Sequence, residues 1–328
     1  MRILITGGAG YIGSVLTNYL LQAGHHVRVL DALIFGGESL LSIYHHPNFE
    51  FLWGDVRDKN KVSSALVGID AIVHLAAIVG ESACTKFPEL AMTTNLESTI
   101  NLVDQAKKVA IPRFIFTSTC SNYGVTDVAL LADEEFPLDP ISLYSETKVK
   151  AEKYVIEKAN NSFCSCVLRL ATVYGLSPRM RFDLLINELV RDAVSRKWVV
   201  LYGPESWRPF VHVQDVARAF EAALKASTNV ISGSTFNVGS NDGNCQKRQL
   251  TEVIKKYVPY ADIEIMERKS DPRDYRVSFD KISKVLNFRT SKTIEEGIVE
   301  IRNAITTGII QEPFDPKYDN VSSPALTN

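Results

Sequence analysis

The sequence predicts a doubly wound α/β fold: a parallel sheet with helices on both faces, joined to a smaller C-terminal lobe. Three observations carry this. Short apolar runs alternate with helical patterns through the first half of the chain, the pattern of a parallel sheet with covering helices. One such run, Ile3-Leu4-Ile5, leads straight into a glycine-rich turn at 6–13. The length of 328 residues, 45% hydrophobic and 23% charged, suffices for one large core with a smaller one beside it.

The turn reads Thr6-Gly7-Gly8-Ala9-Gly10-Tyr11-Ile12-Gly13. Ile12, Leu16 and Leu20 then recur every fourth residue, so a helix follows, and Gly24 ends it. A second strand at 27–31 closes with Asp31. Each glycine has a use here: Gly7 for the tight turn, Gly10 for close approach of a pyrophosphate, Gly13 for packing of the helix on the sheet. The helix N-terminus offers free N–H groups to phosphate. Asp31 suits the two hydroxyls of an adenosine ribose and repels a 2′-phosphate, and no Arg stands at 32 or 33. The arrangement is that of a Rossmann dinucleotide site, and NAD is expected over NADP. Tyr11 and Ile12 join the cofactor-binding candidates.

Composition narrows the class. With 36 Lys and Arg against 38 Asp and Glu, the net charge of −2 argues against nucleic-acid binding. No apolar run approaches the ~20 residues of a membrane span, and Met1-Arg2 runs directly into the first strand, so no leader is expected. The five cysteines, at 84, 120, 164, 166 and 245, form no paired framework or metal motif. Small buried apolar residues in a reducing, cytoplasmic setting are expected, with no metal site.

Strands read at 2–6, 27–31, 50–53, 70–75, 113–118 and 164–171, with helical patterns at 88–110 and 142–160. Ligands bind beyond the carboxyl ends of such strands. There Asp55, followed by Val56, either meets an adenine amino group or is a plain loop Asp. Leu75-Ala76-Ala77 are small enough for a cofactor to cross the strand tip. His74 reads as structural. Asn95 is placed with the cofactor-binding candidates, ordering a water or its own helix. The fifth strand ends in Thr117-Ser118-Thr119-Cys120-Ser121-Asn122-Tyr123-Gly124. Beyond a proline-bearing loop, Tyr144 and Lys148 stand at i and i+4 on one helix face. A phenol titrates near ~10, too high for a base at neutral pH. A neighbouring Lys cation and a positive nicotinamide ring would both lower it. Tyr144 then takes a proton from a sugar hydroxyl, Lys148 holds the nicotinamide ribose and Thr119 orients the hydroxyl.

"TGGAGYIG", "HLAA", "TSTCSNYG", "YSETK" and "RPFVHVQDVARAF" together resemble the NAD-dependent epimerase/dehydratase family of extended short-chain dehydrogenases/reductases, in that family's order, over residues 1 to about 305. "RLATVYGLSPRMRFDLLIN" further resembles a bacterial subgroup that includes nucleotide-heptose C4 dehydrogenases. The resemblance implies a nucleoside-diphosphate sugar as substrate and a homodimer. It implies a diphosphate-binding role for Arg208 and a structural turn at His212 and Asp215. The family's second diphosphate Arg is replaced by Asp271, so Arg273, or failing it Arg276, is expected in that role. Arg179, Arg181 and Asn187 lie at the mouth of the cleft, and Arg grips a pyrophosphate bidentately; a solvated basic turn is the alternative. Cys120, Ser121 and Asn122 complete the substrate-binding candidates. The family's 4,6-dehydratases carry Asp-Glu after the catalytic Thr, where this chain has Cys120-Ser121. Dehydration is therefore disfavoured.

The expected organisation is a NAD-binding part at 1–175 with about 212–243, a nucleotide-sugar lobe at about 176–211 with 244–312, and a tail at 313–328 that is mobile or laid over a neighbour. The expected activity is hydride transfer at sugar C4, ending in epimerisation or net dehydrogenation. A C4 ketoreductase and a non-catalytic NAD-binding regulator are the alternatives.

Overall fold

The computed structural model describes residues 1–267 and 272–321; Asp271 and the tail from Ser322 lie outside these. The strands are β1 (Arg2–Thr6), β2 (His26–Asp31), β3 (Phe49–Trp53), β4 (Ala71–His74), β5 (Arg113–Thr119), β6 (Cys164–Leu170), β7 (Thr172–Tyr174), β8 (Trp198–Tyr202), β9 (Trp207–His212), β10 (Ser234–Val238), β11 (Asn244–Gln246) and β12 (Asp262–Met266). Seven form one sheet in the order β10-β6-β5-β4-β1-β2-β3, every pairing parallel. The order reverses between β1 and β4, and the crevice at such a switch point receives ligands.

The central strands are continuous apolar runs because both faces are covered. Alternation sorts their side chains. Ile3, Ile5, Val73 and Ile115 share one core with helices Tyr11–Gln22 and Val213–Lys225. Leu4, Ile72, Phe114 and Phe116 share another with helices Ser98–Lys108 and Leu143–Glu157. The remaining strands form a three-stranded sheet, β11-β9-β7, and a two-stranded one, β12-β8. A separate core, including Phe182, Ile186, Val199, Leu201, Leu250 and Ile298, underlies them. All five cysteines are buried and unpaired.

The run expected at 164–171 is the single strand β6 as far as Leu170; Ala171 N then bonds Val238 O at 3.0 Å, and the chain beyond it pairs with β9. The pattern at 88–110 is interrupted. Helix Pro88–Met92 passes into a wide π-turn, Thr93–Glu97, before Ser98–Lys108, and a further helix, Glu81–Lys86, precedes them. The π-turn turns Asn95 inward, where its amide holds Ile78 N and Ile78 O at 2.8 and 3.0 Å. The described part of the tail, through Val321, lies along its own chain: Phe182 N donates to Tyr318 O at 2.9 Å and Lys86 Nζ to Val321 O at 3.3 Å, contacts that composition does not signal.

Two buried polar clusters fix the strand ends. His74 bridges Thr6 Oγ1 at 2.6 Å and Thr99 Oγ1 at 2.9 Å. Thr99 spends its own proton on Asn95 O, so it accepts from Nε2–H, and Thr6 donates to Nδ1. Burial pushes His74 down to about 3. In the unfolded chain it titrates near ~6.5. Between those values only the unfolded state takes up the proton, so stability falls as pH drops through that window. Melting temperatures from pH 7 to 4 are expected to fall, and less steeply in His74→Gln. Behind β5, Arg169 Nε meets Glu152 Oε1 at 3.0 Å and Arg169 Nη1 meets Tyr123 Oη at 2.9 Å. Glu152 also accepts from Ser118 Oγ at 2.7 Å. Arg169→Met strands a buried carboxylate and is expected to cost about 3–5 kcal/mol in urea unfolding.

Candidate functional site

A cavity of about 700 Å³ lies over the switch point and reaches into the smaller lobe. Its floor is the glycine turn. Gly7 has φ of +75°, and a Cβ there would sit 2.8 Å from Ala76 N. At Gly13 a Cβ would sit 2.1 Å from Gly7 O. Gly10, Tyr11 and Ile12 line the cavity between them. Asp31 accepts from Ala9 N at 2.9 Å and Leu33 N at 2.8 Å. Burial raises its pKa, and those two N–H groups pull it back. Asp55 and Val56 line the same end, but Asp55 already holds Arg57 through Nη2 at 2.7 Å and Nε at 3.0 Å. Leu75, Ala76 and Ala77 form the adjoining wall.

Thr119, Tyr144 and Lys148 share the wall beyond β5. The helix Leu143–Glu157 is set by a Ser142/Ser145 capping box, which fixes where Tyr144 and Lys148 emerge. Lys148 Nζ donates to Thr117 O at 3.0 Å. Burial lowers its pKa to about 8. Burial is the largest influence on the Tyr144 phenol and pushes it up, and the cations that pull it down are Arg181 and Arg273.

Of the substrate-side candidates, Ser121, Arg179, Arg181, Arg208 and Arg273 reach the cavity. Arg181 is held by Asp183 at 2.9 and 2.7 Å. Arg273 meets Ser121 Oγ at 3.0 Å and Glu81 at 3.1 Å. Arg208 is buried, with its guanidinium 5.5 Å from the Tyr275 ring centre. Arg179 stacks 4.1 Å over Phe35. Its Nε and Nη2 are buried without partners, and burial, followed by Arg181, lowers its pKa to about 10.

Four candidates stand behind the wall instead. Asn95 is occupied by Ile78. Cys120 is fully buried, its Sγ on Arg169 O at 3.4 Å. Asn122 donates to Ser118 Oγ at 3.1 Å. Asn187 holds Gly175 N at 3.0 Å and Arg181 O at 2.9 Å. Each supports a wall residue or the loop behind one. His212 pairs with Glu300 at 2.7 Å, and Asp215 accepts from Ser291 N and Lys292 N at 3.0 and 2.9 Å, both in structural roles.

The sequence reading missed Phe35, Glu81, Lys247, Asn320 and Val321, all of which line the cavity. Lys247 opens a helix, a position any polar residue takes, and the tail carries no periodic pattern.

The glycine cradle and the unmatched Nε and Nη2 of Arg179 fit a dinucleotide diphosphate. Gly13→Ala must displace the turn, so NAD⁺ affinity is expected to fall more than about tenfold, an energy of ~1.4 kcal/mol, in calorimetric titration against the wild type.

Comparison with known proteins agrees. A low-salt glycan biosynthesis protein of Haloferax volcanii is 29% identical over 306 residues, 91% of this chain and 96% of that protein. A dTDP-glucose 4,6-dehydratase of Streptomyces venezuelae, solved with NAD bound, superposes with a TM-score of 0.85 at 25% identity, covering 97% of this chain and 100% of that one. A UDP-glucuronic acid 4-epimerase of Bacillus cereus, solved with UDP-glucuronic acid and NAD, gives 0.84 at 26% identity, covering 94% and 99%. Among the described residues no helix is long and apolar enough to cross a membrane. Residues 3–239 match the model of the NAD dependent epimerase/dehydratase family; the chain belongs to that family of nucleotide-sugar enzymes, and its cofactor is NAD.

Proposed function

We propose that the protein acts at C4 of a nucleoside-diphosphate sugar, oxidising it to the 4-keto form and returning the hydride from the opposite face as a 4-epimerase. The observation that carries this reading is the grouping of Thr119, Tyr144 and Lys148 on one cavity wall, with Cys120-Ser121 and not a carboxylate pair following Thr119. Cys120 faces the core, and Ser121 accepts from Arg273. Neither supplies the acid and base that eliminating water requires.

The main sheet, 1–175 with about 212–243, holds NAD through Gly7, Gly10, Gly13, Asp31 and the Leu75–Ala77 wall. The lobe at about 176–211 with 244–312 takes the nucleotide sugar. Arg208 and Arg273 serve its diphosphate, and Lys247 adds a third cation at that end. When bound, NAD supplies the hydride acceptor and a positive ring beside the phenol. Tyr144 Oη removes the proton from the C4 hydroxyl, and Thr119 orients that hydroxyl. Burial raises the phenol's pKa, so its deprotonation depends on positive charge gathered in the cleft, to which Arg181 and Arg273 contribute. On the return step the same phenol gives the proton back.

A panel of UDP-, dTDP- and GDP-linked sugars, heptoses included, tests the reading through NMR of the product and absorbance of NADH. A C4 epimer is expected. A free 4-keto sugar with accumulating NADH would make the protein a net dehydrogenase, and a 6-deoxy-4-keto product would overturn the reading. Tyr144→Phe is expected to lower kcat about 10²–10⁴-fold while NAD stays bound. Unchanged turnover in that variant would remove Tyr144 from the mechanism.

A further inference from the structure

The tail supplies an observation that no role above uses. Asn320 is 6% exposed, lines the cavity, and its Oδ1 is buried without a partner. A buried amide oxygen left unmatched is destabilising, and a ligand hydroxyl that bonds it relieves part of that cost. The residue is held in place. Asn320 N reaches Asp183 Oδ2 at 3.5 Å, the Tyr318 ring packs edge-on to Phe182 at 5.4 Å, and Lys86 Nζ binds Val321 O. The segment thus runs from the smaller lobe to the first helix beyond β4. Val321 packs in one apolar group with Ile34, Phe35, Phe87, Leu90 and Tyr144. Ile34 and Phe35 closely follow Asp31, and Arg179, with two unmatched N–H groups, lies on Phe35 and feels Asp31 and Asp319. One unmatched acceptor, two unmatched donors and an apolar cover therefore gather on the side of the cavity that Asp31 marks. A ribose diphosphate offers the complementary hydroxyls and oxygens.

We propose that residues 315–321 are a strap over the bound dinucleotide. Asn320 Oδ1 accepts from a ribose hydroxyl of NAD, Arg179 donates to its diphosphate, and Val321 closes the apolar cover. NAD leaves only after this strap lifts. The inference rests on NAD as cofactor and is independent of the sugar or the reaction at C4.

Asn320→Ala and Val321→Ser in the full chain test it, with NAD⁺ and UDP titrated separately by calorimetry and retained NAD measured by chromatography after gel filtration. The NAD⁺ dissociation constant is expected to rise about tenfold in Asn320→Ala, the loss of one buried hydrogen bond. A severalfold rise and loss of retained NAD are expected in Val321→Ser. UDP affinity is expected to stay within about twofold, the level of a contact that was never made. Unchanged NAD⁺ affinity in both variants would overturn the strap. A fall in UDP affinity equal to that for NAD⁺ would assign the segment to the other nucleotide and overturn the inference as stated. If Asn320→Ala lowers the melting point of the ligand-free chain, Val321→Ser alone decides.

Discussion

Helix Tyr11–Gln22 reaches the sheet through glycine. Its first turn lies so near Gly7 O that a single methyl at Gly13 has no room. That closeness sets the height of the helix N-terminus above the tips of β1 and β4, and with it the depth of the crevice. His74, locked between Thr6 and Thr99, ties those two strand tips to the helix on the far face. The π-turn at Thr93–Glu97 aims Asn95 at the loop leaving β4. The crevice floor is therefore a rigid backbone surface, held by buried hydrogen bonds whose partners leave little freedom.

On that floor the charges are arranged unevenly. Arg181 with Asp183, Arg273 with Glu81, and Arg57 with Asp55 are each matched by a carboxylate. Arg179 and Lys148 are instead desolvated, and both hold their protons less tightly than in water. Charge kept out of water is costly, and an anionic ligand beside it relieves that cost. The phenol of Tyr144 is in the converse position: burial favours its neutral form. One cavity thus holds buried cations and a buried phenol, and burial favours the neutral form of each.

The sheet and the floor of the site were legible in the sequence because both rest on local grammar. Ile3-Leu4-Ile5 before three spaced glycines, and Tyr144 with Lys148 on one helical face, need only neighbouring residues to be read. What escaped was decided by how side chains turn once the elements are packed. Cys120, Asn122 and Asn187 stand at positions that point toward the site in one dimension, yet their side chains turn to Arg169, Ser118 and Gly175. Glu81 and Lys247 sit at helix starts, where sequence offers capping as sufficient reason. For the phenol of Tyr144, the sequence shows a cation one helical turn away, whereas the burial that raises its pKa and the help of Arg181 and Arg273 emerge only from the fold.

The crossing at Ala171 has a mechanical meaning. β6 passes into β7 through that one residue, whose N–H is tied to Val238 O, and β9 runs at His212 directly into the helix Val213–Lys225. Both crossings are regular structure without loop residues to absorb rotation, and hinge bending needs such residues. A third crossing, from β10 to β11, passes through a short turn at 239–243, so two of the joints between the sides of the crevice are stiff and this one carries residues of the kind a hinge uses.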